Sequence, residues 1–229
     1  MKTIAVSVGM LAIVNVAHAE QVESPSIQKS ATYSIDFGSH MRWFGDTSAA
    51  ILTTESFGGT RLTIGRSLTQ TRVPRRDLDV GVFARWMFAT VDGTFFGDLN
   101  TNLTQHGLAG GVRFDAPILW RFRLVGQAEV GMAHTALTVT EAEMTPVDDS
   151  AWAPYGTVTL GTDLGLHEGP RFRLGLGVDV GYTVTMPVDL RALPGDRPDE
   201  ELSIETDYAS LGKLDTRGWT YSLALRGAF

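Results

Sequence analysis

The last eleven residues constrain this chain more than any other stretch. They read Trp219-Thr220-Tyr221-Ser222-Leu223-Ala224-Leu225-Arg226-Gly227-Ala228-Phe229. Tyr221, Leu223, Leu225 and Phe229 share one face of an extended strand, and only Gly227 interrupts that apolar run. Thr220, Ser222, Ala224, Arg226 and Ala228 share the other face. A strand with one apolar and one polar face must lay the first against something apolar. Termini usually fray, so a chain that commits its final side chain to a sheet points to a sheet that needs its last strand.

The same alternation recurs along the chain. The spacing predicts a first strand over 31–43, with Tyr33, Ile35, Phe37, Met41 and Trp43 opposite Asp36, Gly38, His40 and Arg42. A second, over 57–69, sets Leu62, Ile64 and Leu68 against Arg61, Thr63 and Ser67. Arg66 falls on its apolar side, so either Gly65 marks a bulge or Arg66 snorkels at the strand end. The third, over 78–88, puts Val80, Val82, Trp86 and Phe88 outward, and Asp79, Phe83, Arg85 and Met87 inward. The fourth, over 105–115, opposes Leu108, Val112 and Phe114 to Arg113 and Asp115. In the fifth, Trp120, Phe122, Leu124, Val130 and Met132 face away from Arg121, Arg123, Gln127 and Glu129. The sixth, over 152–166, opposes Val158 and Leu160 to Thr159 and Asp163. The seventh alternates most cleanly, with Phe172, Leu174, Leu176, Val178, Val180, Tyr182 and Val184 against Arg173, Asp179 and several glycines.

With the closing strand the count is eight. Short turns fall at 70–77, 116–119 and 167–170, and long loops at 44–56, 91–104, 135–151 and 185–213. The expectation is an all-β, eight-stranded antiparallel up-and-down barrel spanning a membrane, with all short turns at one end and all long loops at the other. Each strand reaches the 9 to 11 or so residues that a tilted strand needs to cross a bilayer. Alternation keeps mean hydropathy near zero, here +0.01, so the lack of a long apolar run after the N-terminal segment does not oppose this reading.

Aromatic positions supply a separate check. Amphipathic rings favour the headgroup level. With odd strands running up, Tyr33, Phe114, Trp120, Phe122, Phe172 and Phe229 gather at the lower ends. Trp43, Phe57, Trp86, Phe88, Trp152, Tyr182, Trp219 and Tyr221 gather at the upper ends. The opposite face is too polar for a dry core. It carries Asp36, His40, Arg42, Arg61, Asp79, Arg85, Arg113, Glu129, Asp163, Arg173, Asp179 and Arg226. Both signs occur at similar depths, which suits a network of ion pairs plugging the lumen. The inward glycines leave room for neighbouring arginines, or for water in a narrow polar conduit.

The N-terminus reads as a separate unit. Met1-Lys2, an apolar stretch from Ile4 to Val16 and Ala17-His18-Ala19 have the order of a cleaved secretory signal peptide over 1–19. Residues 20–30 then form a periplasmic lead-in, and 31–229 the barrel. Loss of Lys2 would take the formal charge from -7 to -8, which gives no support to nucleic-acid binding. Cys is absent, which removes disulfides and thiolate metal sites.

The alternating strands and the terminal Phe229 motif resemble the small eight-stranded outer-membrane barrels of the OmpX and OmpA membrane-domain type, and more loosely OmpW. The resemblance covers nearly all of the chain after the signal. It implies a monomer integral to the outer membrane of a Gram-negative bacterium. It also implies contact with membrane lipid and lipopolysaccharide, and an assembly signal at Tyr221, Leu223, Leu225 and Phe229 read by the barrel-assembly machinery. A structural or surface-interaction role follows, with no catalytic residues, metal or cofactor. Rival roles are a narrow conduit for small solutes, and adhesion or ligand binding through the long loops with Phe95-Phe96 and the acids of 196–205. An enzyme acting on lipid is disfavoured, because no His-x-Ser pair lies on one strand. His134, His40 and His106 read as structural or surface residues.

Overall fold

The computed structural model describes residues 33–44, 56–73, 76–95, 99–140, 147–169, 172–192 and 209–229. The expected signal peptide, the lead-in, Phe96 and the acidic run at 196–205 lie outside them. Ten strands are present among the described residues: β1 (Tyr33–Phe44), β2 (Ser56–Val73), β3 (Arg76–Phe95), β4 (Leu99–Leu119), β5 (Phe122–Thr140), β6 (Val147–Glu168), β7 (Arg173–Thr185), β8 (Val188–Ala192), β9 (Ala209–Leu214) and β10 (Gly218–Ala228). Eight of them close a barrel in the order β1-β10-β7-β6-β5-β4-β3-β2, and β8 with β9 make a separate two-stranded sheet.

Closure follows the route anticipated for the terminal strand. β1 and β10 pair antiparallel from Ser34↔Ala228 to Phe44↔Gly218. The chain end extends the pairing: the Tyr33 amide donates to the Phe229 carbonyl, and the Phe229 amide donates to the Tyr33 carbonyl, both at 3.0 Å. Gly227 breaks the outward apolar run, and the Phe172 ring lies over the gap, 3.6 Å from where a Cβ would stand. Tyr33 and Phe229 stack with centroids 6.4 Å apart.

The strands are taller than the sequence pattern indicates. β4 has 21 residues and β6 has 22, roughly twice the 9–11 that a bilayer requires. Segments 91–104 and 135–151 are therefore not long loops, because β3, β4, β5 and β6 continue through most of them. The 70–77 turn is likewise strand up to Val73 and again from Arg76, where β2 and β3 still pair. The tight turn expected at 116–119 falls one step later, at Trp120–Arg121. The loop expected over 185–213 holds β8 and β9.

The reason lies in the faces. Across the lipid-facing band the exterior is apolar, with Val82, Trp86, Leu108, Val130, Val158 and Leu160 exposed. Above Phe88 on β3 the exposed residues become Thr90, Asp92 and Thr94, while the inward ones become Ala89 and Val91. β4 and β5 repeat the exchange, with Leu103 and Leu137 turned inward and fully buried. Alternation never stops, but the apolar stripe changes sides. Water replaces lipid outside, so the strands must supply their own core within.

That upper core joins Phe44, Phe57, Ala89, Val91, Leu103, Leu137 and Ala153 to Val188, Leu190 and Leu214 of the β8–β9 sheet. Phe57, expected in the upper aromatic belt, points inward and is 1% exposed. The inner face thus carries its ion pairs below an apolar core, with single polar residues such as Thr101 and Thr185 buried beside that core. Trp120 departs from its expected place in a strand: it sits in the β4–β5 turn with φ 43° and is 86% exposed. Arg121, expected inward, lies outside over the Trp120 ring at 4.8 Å. Gly65 makes no bulge. The register shift lies between Ser67 and Thr69, and Arg66 reaches along the exterior to the Tyr33 ring, 5.7 Å away.

Two outcomes follow. Deleting Phe229 removes both terminal backbone hydrogen bonds and the ring stacked on Tyr33, and is expected to lower insertion yield into vesicles, scored by heat-modifiable migration; a wild-type yield would refute this. Leu176 is outward and faces Leu164 and Leu225 on its neighbours. Leu176→Arg is expected to cost about 2–4 kcal/mol in reversible urea unfolding from lipid vesicles.

Candidate functional site: the charged lumen

Every member of the expected lumen charge set faces inward. Asp36, His40, Arg42, Arg61, Arg85, Arg113, Glu129, Asp163, Asp179 and Arg226 are buried, and Asp79 and Arg173 are partly so. Arg61 reaches Asp179 at 2.6 Å. Arg226 grips Asp179 through both oxygens and also Asp163. Arg113 donates to Asp36 at 2.8 Å, to Asp115 at 2.8 Å and to Asp163 at 3.2 Å. Arg85 forms a separate node with Glu129 at 2.6 Å, Gln127 at 2.5 Å and Thr63 at 3.0 Å. These bonds cross the lumen between strands far apart in sequence, so the polar interior braces the wall.

Two participants are expected on the inward face but not in the charge network. Asp115 pairs with Arg113, and Arg123 with Asp79 at 2.8 Å. The alternation places both inward on β4 and β5; what it does not show is which opposite charge each one meets. Asp79 and Asp115 face each other directly in register. Each needs its own arginine there, because like charges opposite one another destabilise a sheet.

Glycine supplies the space. At Gly177 a Cβ would stand 2.5 Å from the Arg226 Cζ, so a larger residue would evict the guanidinium from between its two carboxylates. Three expected members are inward without a carboxylate partner among the described residues. Arg42 donates to Gln105 at 3.2 Å, and Gln105 donates to Thr135 at 3.0 Å. The Nδ1 of His40 has no hydrogen-bond partner. Arg173 lines the lower mouth of the lumen, beside Arg123, Asp79 and Asp115.

His40 stands in register with Ser222, and Ser222 donates to Asp179 at 3.0 Å. This is not the order of a nucleophilic triad, in which the imidazole lies between hydroxyl and carboxylate. Asp179 holds the serine directly and is itself held by two arginines. Level with Glu129 and Arg42, neutral side chains join the charged ones. Thr157, Thr183 and Thr220 form a hydroxyl ladder at 3.0 and 2.9 Å, and the apolar core lies above.

Phe57 apart, the expected interface aromatics lie on the exterior. Trp43 and Trp219 are register partners, and Tyr182 meets Trp219 edge-on at 5.6 Å. Trp86, Phe88 and Trp152 mark the upper rim of the apolar band, and Tyr33, Phe122 and Phe172 the lower rim. Tyr221, Leu223 and Leu225 face outward on β10.

No protein-family model matches the sequence, and no curated protein matches it. Solved structures do share its fold. OprG from Pseudomonas aeruginosa is 15% identical, with 89% of this chain and 99% of that one covered and a TM-score of 0.52. A major outer membrane protein from Thermus thermophilus is also 15% identical, with 86% and 98% covered and a TM-score of 0.52. At this identity the likeness bears on architecture alone, and on that ground the chain has the fold of the small eight-stranded outer-membrane barrels.

Proposed function

We propose that this chain is an integral outer-membrane protein of a Gram-negative bacterium, a non-enzymatic monomer that serves as a closed barrel with an extracellular recognition surface. The observation that carries this reading is two seals in series. Low in the lumen, Arg61, Arg113 and Arg226 neutralise Asp36, Asp163 and Asp179. Higher up, Phe57, Leu103, Leu137 and Leu190 pack together, each no more than 2% exposed. A hydrated solute would have to break charged hydrogen bonds and then cross a dry apolar layer. Either barrier alone opposes conduction, and the conduit reading requires both to open.

The outer-membrane assignment rests on the apolar exterior band, the aromatic rims and the shared fold. The surface role rests on the tall β3–β6 wall, whose outer face turns polar above the band. β10, with Tyr221, Leu223, Leu225 and Phe229 outward, is the strand the assembly machinery would read.

The purified protein in planar bilayers is expected to show no conductance steps; reproducible steps from the wild type would overturn the closed-barrel reading. Asp179→Ala strands Arg61 and Arg226 without their shared acceptor. It is expected to cost about 3–5 kcal/mol in vesicle-based urea unfolding. A cost below about 1 kcal/mol would show that the network does not brace the barrel.

A further inference from the structure

The outer wall of β3–β6 carries an ordered vertical gradient. At one level four outward residues stand side by side on successive strands: Phe88, His106, His134 and Trp152. They mark the boundary where the exterior changes from apolar to polar. His106 packs on Phe88 at 4.9 Å, and His134 on Trp152 at 5.0 Å. Each imidazole thus leans on the aromatic at its own outer side, with the space between them facing out. Among the described residues neither imidazole has a hydrogen bond or an ion pair, although an imidazole carries at least one N–H donor in either protonation state.

Below this row the wall is bare hydrocarbon, with Leu108 and Val130 among its most exposed apolar side chains. Above it the wall is polar and ordered. Asn102 donates to Asp92 at 2.6 Å, and Thr104 donates to Asn102 at 3.0 Å. Asp92, Asn100, Asn102 and Thr140 line an open cleft of about 540 Å³ on this outer face. Amides, hydroxyls and a carboxylate fixed at one concave site offer the mixed donors and acceptors that sugar hydroxyls need. Asn102 lies four residues from His106, about 13 Å along the strand. Among the described residues the only acids on this face above the row are Asp92 and Asp148, which stand level with Asn102 and away from the imidazoles.

Acyl chain, phosphate and sugar, in that order from the bilayer outward, is the chemistry of lipopolysaccharide. We propose that the β3–β6 wall binds one lipopolysaccharide molecule as a discrete ligand. Its acyl chains lie on Leu108 and Val130, a glucosamine phosphate accepts hydrogen bonds from His106 and His134, and the proximal sugars occupy the cleft at Asn102. The proposal rests on the outer-membrane reading above and gives its recognition surface a ligand class.

The test uses the full chain folded in phosphatidylcholine nanodiscs, with affinities read by native mass spectrometry. The probes are lipid A, dephosphorylated lipid A and core-bearing rough lipopolysaccharide. The wild type is expected to prefer lipid A over its dephosphorylated form about tenfold. His106→Leu combined with His134→Leu is expected to remove that preference while keeping heat-modifiable migration. Asn102→Ala is expected to lower the preference for core-bearing over core-free ligand about fivefold, leaving lipid A binding intact. It gives an independent reading should the double variant fold poorly. Indifference of the wild type to phosphate, or a phosphate preference that survives in the folded double variant, would overturn the proposal. Failure of the outer-membrane reading itself would look different: the native protein would be missing from isolated outer membranes.

Discussion

Hydrocarbon offers the backbone no hydrogen-bond partner, and the rest of this structure depends on that fact. Every N–H and C=O of a strand in lipid must be met by a neighbouring strand, which only a closed sheet achieves. The pairing of β1 with β10 is therefore the bond on which the barrel turns. It also explains why the chain's last residue is ordered. Phe229 exchanges two backbone hydrogen bonds with Tyr33, so the position that would ordinarily fray is held at the seam.

Closure fixes which residues must be enclosed, and enclosure then sets the chemistry of the lumen. With the apolar side chains turned to lipid, the charged ones have only each other. A lone buried guanidinium or carboxylate costs several kcal/mol. The observed answer is shared acceptors: Asp179 serves Arg61, Arg226 and Ser222 together. Such sharing requires guanidiniums to cross the lumen, and the wall must give way where they pass. Glycine at position 177 does so beside Arg226. Gly161 does the same beside the Asp179 carboxylate, whereas Gly38, Gly59 and Gly181 lie against the backbone of a neighbouring strand.

The number of barrel strands, closure and the facing of the lumen charges were legible in the sequence because they depend on parity alone, whereas Arg121, in a turn, escaped it. Parity at Asp36, Arg113 or Asp179 is the same whether or not the strand ends are known. Strand length was not legible, because the sequence signal used was an apolar outer face. On β3, β4 and β5 that signal vanishes above Phe88, His106 and His134, although the strands continue. Leu103 and Leu137 still alternate with polar neighbours there, but in the opposite sense. An inversion of this kind marks the level at which the outside solvent changes, and it can be sought in other chains. Phe57 misled for the same reason: an aromatic near an upper strand end fits the belt by height, and only its parity with Arg61 places it inside. Trp120 misled differently. It continues the alternation of the fifth strand, yet the chain turns there through a left-handed backbone conformation.

The inversion also explains the β8–β9 sheet. β3 to β6 rise well above the apolar band, whereas β7 stops at Thr185 and β10 begins at Gly218. A core lined on one side by a tall wall would lie open on the other. The chain between β7 and β10 supplies what is missing, with Val188, Leu190 and Leu214 closing against Phe57, Leu103 and Leu137. The segment that looks most like an exposed loop in composition therefore contributes three apolar residues to the upper core. Its order is tied to the height of the opposite wall: shorten β3–β6 to the level of the bilayer, and those three side chains would lose Leu103 and Leu137 and keep mainly Phe44 and Phe57 to pack on.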